Sequence, residues 1–325
     1  LLSATPTIQQ FQQSNNQIHM PQLVLLGLFS SWFSFFDWLK NPFKPSHPPF
    51  PYHLNAPDIA FELPDEIKEI SGLSIATDST GAPTLLAAIN DEAGIIFLLD
   101  KNTGACKSRI AFKESGDFEG VEIVGNDAWA IKSSGTIYHI KNYQQPNPQV
   151  DKYKSFLTSD NDVEGLAYDP ARNRLLLGCK GKGVDSLGTP LNKAIYAFDL
   201  VTKTVSNAPA YLLTLPDLTD FIQNSGELDA ADKMERIISA ERTEIKFSPS
   251  GIAIHPQTGE IYVTSARGNT LLVLDAAGKI KHVERLKKGT HSQPEGICFD
   301  ADGVLFIANE GGDGTPGKIY GFYGK

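Results

Sequence analysis

The sequence predicts an all-β fold: a β-propeller of five four-stranded blades, closed by an N-terminal strand. Two observations predict it. A Gly that follows a small or acidic residue and opens a short apolar strand recurs at Gly72, Gly120, Gly165, Gly251 and Gly296. Each recurrence is followed by two more apolar strands and, in four of the five units, by a more polar fourth. Self-similarity at about 45 residues per four-stranded unit is blade spacing. Inner strands are sandwiched between neighbouring blades and outer strands meet water, so the order from apolar to polar fits a radial blade.

The elements follow in chain order. Residues 1–19 are rich in Gln, Asn, Ser and Thr without hydrophobic period and read as a disordered arm or a start-site artefact, Met20 being a plausible start. An apolar run of 14 residues follows at 23–36, short of the roughly 20 that span a bilayer. It lacks a basic leader and a small-residue cleavage site. Three readings stand: a poor signal peptide, an interfacial anchor, or a helix docked on the body. Its Trp and Phe content suits a membrane interface, so membrane association through residues 23–39, or export, is expected ahead of docking. Five prolines within residues 41–52 make an extended, semi-rigid linker. The chain thus divides into an N-terminal region, 1–52, and a propeller domain, 53–325.

Within the domain, residues 59–64 read as a strand without a unit of its own, and the last unit ends near Tyr323 without a fourth strand. Pairing the two closes the ring and leaves no open sheet edge. The spacings between successive glycines are 48, 45, 86 and 45 residues. The long interval leaves six blades as the alternative. Residues 164–215 already supply four strands, however, and 217–242 carries apolar residues at Leu218, Phe221 and Ile222, then Met234, Ile237 and Ile238, at helical spacing. A helical insertion near 217–242 is therefore expected.

Three stretches carry a more specific signature: EISGLS at 69–74, AINDEAG at 88–94 with LLDKNTG at 98–104, and GDFEGVEIVGNDAWAIKSSGTIY at 116–138. They resemble the SdiA-regulated family of bacterial propellers, the YjiK-like group, and the similarity extends over roughly residues 66–323. More distantly, the DFEG element is similar to esterase-like, phytase-related propellers, and more distantly still to gluconolactonase-type propellers that bind a divalent cation. The resemblance implies a propeller fold and a cell-envelope location, membrane-associated or periplasmic, with no established reaction. The 217–242 insertion and the Pro-rich arm depart from the family pattern.

In a propeller, equivalent positions of each blade face one another across the central channel, and convergent polar groups there are the default site. The first ring is Ser71, Glu119, Glu164, Ser250 and Glu295. The second, at the end of the next strand, is Asn90, Lys132, Lys180, Ser265 and Asn309. Carboxylates and amides are hard oxygen donors suited to calcium, with Glu119, Glu164 and Glu295 as the candidate metal ligands. The absence of His from both rings disfavours zinc and copper. The competing reading is a pair of ion pairs, Glu119 with Lys132 and Glu164 with Lys180, linking adjacent strands. Asp117 and Asp162 share one offset and read as turn residues rather than groups that orient a site. The glycines themselves read as allowing close backbone approach where blades converge.

Composition excludes other classes. The net charge of −9 disfavours nucleic acid. Three cysteines without CxxC spacing give neither a disulfide framework nor a zinc motif, and Cys179 and Cys298 read as core. No Gly-x-Ser-x-Gly elbow and no phosphate-binding Gly loop occur. His139, His255 and His291 read as surface or capping residues, and 181–190 as a mouth loop. Two functions remain open. One is a binding or scaffold propeller taking a small polar ligand or a protein at the channel mouth, with or without calcium. The other is a divalent-metal-dependent hydrolase of a lactone or phosphate ester, with Asp117 or Glu310 as base.

Overall fold

The computed structural model describes residues 49–181, 191–225 and 229–325. The expectations for residues 1–40 and for the mouth loop beyond residue 181 lie outside the described residues.

The described strands form five antiparallel sheets, one for each expected blade. The first strand, β1 (Ile59–Glu62), belongs to the last blade. Blade 1 is β2 (Ile70–Ala76), β3 (Leu85–Asn90), β4 (Gly94–Asp100) and β5 (Cys106–Lys113). Blade 2 is β6 (Phe118–Val124), β7 (Asp127–Lys132), β8 (Ile137–Lys141) and β9 (Gln149–Tyr153). Blade 3 is β10 (Val163–Asp169), β11 (Arg174–Cys179) and β12 (Asn192–Asp199), with its fourth position shared by two short strands, β13 (Thr204–Val205) and β14 (Tyr211–Thr214), which both pair with β12. Two helices follow, α1 (Leu215–Asn224) and α2 (Ala230–Ile237), where the insertion is expected. Blade 4 is β15 (Gly251–Ile254), β16 (Ile261–Ser265), β17 (Thr270–Leu274) and β18 (Ile280–Arg285). Blade 5 is β19 (Pro294–Phe299), β20 (Leu305–Asn309) and β21 (Lys318–Phe322), completed by β1. The long interval holds an insertion, so the ring has five blades.

Closure follows the expected register. Ile59 lies opposite Gly321, and Glu62 opposite Lys318, with their charges 3.2 Å apart. Asp58 extends the clasp, its carboxylate accepting the Tyr323 amide at 2.8 Å. The chain before it also belongs to the body. Tyr52 and Leu54 are each 4% exposed, packed among Tyr262, Val273, Ile307 and Phe322 of blades 4 and 5. The Tyr52 hydroxyl donates to the Gly303 carbonyl at 2.8 Å, and His291, fully buried, donates from Nε2 to the Leu54 carbonyl at 2.8 Å. His291 thus fastens the arm from inside rather than sitting at the surface.

The core lies between blades. Strand period explains it: on β3, Leu85, Ala87 and Ile89 pack toward blade 2, while Leu86 and Ala88 pack toward blade 5. Both faces are covered, so the strand is apolar at every position before Asn90 instead of alternating. Each fully buried Leu such as Leu86 contributes roughly 1.5–3 kcal/mol. Leu218 and Ile222 of α1 and Ile237 of α2 extend the core between blades 3 and 4. Thr214 caps α1, its hydroxyl accepting the Asp217 amide at 3.2 Å. Cys179 and Cys298 are buried free thiols, as expected.

The inner strands β2, β6, β10, β15 and β19 surround the axis, and the recurring glycine sits where they converge. A Cβ on Gly72 would lie 2.8 Å from the Gly120 Cα, and one on Gly296 would lie 2.8 Å from the Leu73 Cβ. Each glycine therefore abuts the next blade, and no larger side chain fits. The remaining axial space is about 10 Å³, the scale of one water. The channel is pinched at the glycines and opens above and below as two mouths. The inner strands start at the upper mouth and end at the lower one.

Candidate functional site

The upper mouth gathers most of the expected rings. Glu119, Glu164 and Glu295 stand at the starts of β6, β10 and β19, one residue before the glycines, and Glu119 and Glu164 line the axial space with Ser71. Their charges act on one another. Burial pushes Glu119 up to about 8, and the Glu164 and Asp117 charges add to it. Burial also lifts Glu164 to about 8, helped by Glu295 and opposed by Lys180. Glu295 reaches about 8 through burial, against Lys180 and with Glu310 and Glu119. The three form one coupled carboxylate group that holds protons near neutral pH.

The second ring divides. Lys180 Nζ donates to Glu164 Oε1 at 2.5 Å, so this ion pair forms. Burial pulls the Lys180 ammonium down, but Glu164 beside it raises it overall. The pair between Glu119 and Lys132 does not form. Lys132 Nζ lies over the Phe118 ring, 5.6 Å from its centre, and Glu119 has no cation among the described residues. The reason lies in the register: Lys132 is opposite Phe118, and the chain shifts register before Gly120, which moves Glu119 out of line. Asn90 is 5% exposed and donates from Nδ2 to the Glu66 carbonyl at 3.3 Å. Asn309 is 2% exposed.

Ser250 of the first ring and Ser265 of the second have structural partners. Ser250 donates to the Pro294 carbonyl at 2.8 Å, joining blades 4 and 5. Ser265 accepts the Ser248 amide at 2.9 Å and donates to the Arg267 carbonyl at 2.6 Å. Asp162 has φ +48° and presents its carbonyl to the Lys180 amide at 2.8 Å, in keeping with a turn. The Asp117 carboxylate takes the Ser133 hydroxyl, which ties the DFEG element to the KSSG loop.

Among the described residues, four buried acceptors of this mouth lack a donor, Glu164 Oε2, Asn90 Oδ1, Asp91 Oδ1 and Asn309 Oδ1, and Asn309 Nδ2 lacks an acceptor. Asp91 is held above the usual carboxylate range by burial and by Glu69, Glu92 and Asp117. Burial does the same for Glu310, with Glu69 and Asp91 contributing. Among the described residues, carboxylates thus outnumber the lysines that face them, Lys68 and Lys180. Among the described residues, no three His, Cys, Asp or Glu side chains are arranged to hold a metal ion. Lys180 Nζ occupies Oε1 of Glu164 and leaves Oε2 open.

The lower mouth holds a feature that the ring reading passed over. A cavity of about 470 Å³ opens there among the ends of the inner strands. Its walls include Ile75, Ile123, Ile254, Tyr168 and Phe299, and Glu122 reaches into it. Glu122 Oε1 accepts the Ser74 hydroxyl at 2.7 Å and its own blade's Ile123 amide at 3.2 Å, and Oε2 accepts the Tyr168 amide at 3.3 Å. These partners lie on three successive blades. Burial pushes Glu122 up to about 7 against those three hydrogen bonds. A sequence signal was present: the residues two after the recurring glycines are Ser74, Glu122, Ala167, Ala253 and Cys298, with one carboxylate among small side chains.

The sequence pattern of the SdiA-regulated family matches residues 54–182 and 214–313. No curated protein sequence is significantly similar to this chain. Among solved structures, aldose sugar dehydrogenase from Streptomyces coelicolor, solved with PQQ bound, is similar at 12% identity, with 87% of this chain and all of that one covered and a TM-score of 0.48. A nidogen/laminin complex is similar at 14% identity, covering 74% of this chain and 72% of that one, with a TM-score of 0.45. Virginiamycin B lyase from Staphylococcus aureus is similar at 13% identity, covering 77% and 66%, with a TM-score of 0.40. At these scores the likenesses say nothing of this chain's ligand or reaction.

Proposed function

Because the chain belongs to the SdiA-regulated family of propellers, and that family fixes no chemistry, we propose a function from the upper mouth itself: it binds a small polar cation. One observation carries this reading. Glu164 is 7% exposed and Asn90 5%, yet among the described residues Glu164 Oε2 and Asn90 Oδ1 have no donor, beneath a mouth where the described carboxylates outnumber the described lysines. Buried acceptors without partners are costly, and a ligand that supplies N–H or O–H groups relieves them. An ammonium-bearing molecule also offsets the burial of charge and, after it, the mutual repulsion that together hold Glu119, Glu164 and Glu295 above their ordinary range. Calcium is the second candidate cation. Its oxygen donors are present, but Lys180 would have to leave Glu164 to complete a calcium shell. The cell-envelope location belongs to the same proposal and is supported by the apolar segment at 23–36.

Calorimetric titration of spermidine and of calcium, into the whole chain and Glu164→Gln near pH 8, tests the reading. Binding of either cation that weakens by about tenfold or more in Glu164→Gln supports it. No heat with either, or equal affinity in the variant, overturns it. Hydrolysis is the alternative, favoured by one observation: carboxyl groups with values near 8 can hold and release a proton at neutral pH. As proposed, it needs a divalent ion, so a calcium and manganese titration without response also removes it.

A further inference from the structure

From the lower mouth, independently of the site above, we infer that the chain carries a second binding site, one that takes an apolar molecule ending in a protonated amine. The cavity of about 470 Å³ falls within the range of small-molecule sites. Its walls are largely aliphatic and aromatic, from Ile75, Ile123, Ile254, Tyr168 and Phe299, and suit an apolar body. The one acidic side chain contributed by the channel-facing ring is Glu122.

Glu122 also has a simpler role, which its partners define. It accepts the inner-edge amides of Ile123 and Tyr168, which lack a ladder partner at the axis, and the Ser74 hydroxyl. That role needs an acceptor but no charge. It uses two lone-pair sites on Oε1 and one on Oε2, leaving a site on Oε2 open. No lysine or arginine pairs with Glu122 among the described residues. The nearby guanidiniums are committed elsewhere: Arg172 and Arg174 both bind Asp169, at 3.2 and 2.9 Å, and Arg172 also holds the Ala276 carbonyl at 3.2 Å. His255, at the rim, is held below its usual range by burial and brings no cation at neutral pH. A carboxylate with an open acceptor site and no counter-charge, set among apolar walls, selects an ammonium over a hydroxyl and rejects a carboxylate. The glycine pinch separates this site from the upper mouth, so the two are independently removable.

The test compares octylamine, octanol and octanoate as probes, titrated into the whole chain and the variants Glu122→Gln, Ile254→Trp and Glu164→Gln. Glu122→Gln keeps an amide oxygen for the inner-edge amides, and its fold is checked by circular dichroism and melting. Octylamine is expected to bind, to weaken by about tenfold or more in Glu122→Gln, and to be lost in Ile254→Trp, which fills the cavity. Glu164→Gln should leave octylamine affinity unchanged. Octanol should bind more weakly than octylamine and respond little to Glu122→Gln. Octanoate binding as well as octylamine, or octylamine affinity unmoved by both Glu122→Gln and Ile254→Trp, overturns the inference. A loss of octylamine affinity confined to Glu164→Gln also overturns it, since the amine would then be reading the upper mouth.

Discussion

Replacing Glu119 by Gln should stabilise the propeller in alkaline solution and leave it nearly unchanged in mild acid. Burial, the Glu164 charge and the Asp117 charge raise the folded-state value of Glu119 from 4.5 to about 8. The folded state then binds its proton more tightly than the unfolded chain does. The associated stability is fully present below the unfolded value and is lost as pH rises through the folded one. A gap of this size corresponds to about 5 kcal/mol for an isolated group. Glu119 is only half-buried, and part of its shift is shared with Glu164, so about 2 kcal/mol is the expected gain in Glu119→Gln near pH 9. That corresponds to roughly 5 °C in melting temperature for a domain of this size. The assay is thermal melting of both proteins across about pH 5 to 9. The wild-type melting temperature should fall with pH more steeply than the variant's, the curves meeting near pH 5. A constant offset between them, or a variant less stable at pH 9, refutes the account of the carboxylate group.

Three further outcomes follow from the fold. Gly72→Ala places a methyl 2.8 Å from the Gly120 Cα, backbone that cannot give way, and should cost about 2–3 kcal/mol in denaturant unfolding. Deleting residues 1–62 removes β1 together with Tyr52 and Leu54 and bares the edge of β21; melting should fall by about 10 °C or more, and size-exclusion chromatography should show association through that edge. A monomer with unchanged melting would disprove the closure. His291→Ala leaves the buried Leu54 carbonyl without its donor and should cost about 1–3 kcal/mol, measured in the same unfolding experiment.

The sequence made the ring legible because the recurring glycine is a steric necessity: five inner strands cannot converge with side chains between them. It made closure legible because residues 59–64 were a strand without a unit and the last unit lacked one. The 217–242 insertion was visible as a change of period from strand to helix. The upper mouth was legible by position and only partly by pairing. Glu164 and Lys180 meet, whereas a register shift at Gly120, invisible in the spacing, sends Lys132 to the Phe118 ring. Ser250 and Ser265 share ring positions yet spend their hydroxyls on backbone carbonyls. Glu122 escaped because both rings were read at one mouth, from the residue before each glycine and the end of the next strand, although the same repeat places Glu122 on the axis two residues after Gly120.

The most direct test of the central claim is a crystal structure of the whole chain grown with spermidine or calcium. The account predicts density at the upper mouth within bonding distance of Glu164 Oε2 and Asn90 Oδ1. A mouth holding only water, with the same Lys180–Glu164 pair and the cation bound elsewhere, would contradict it.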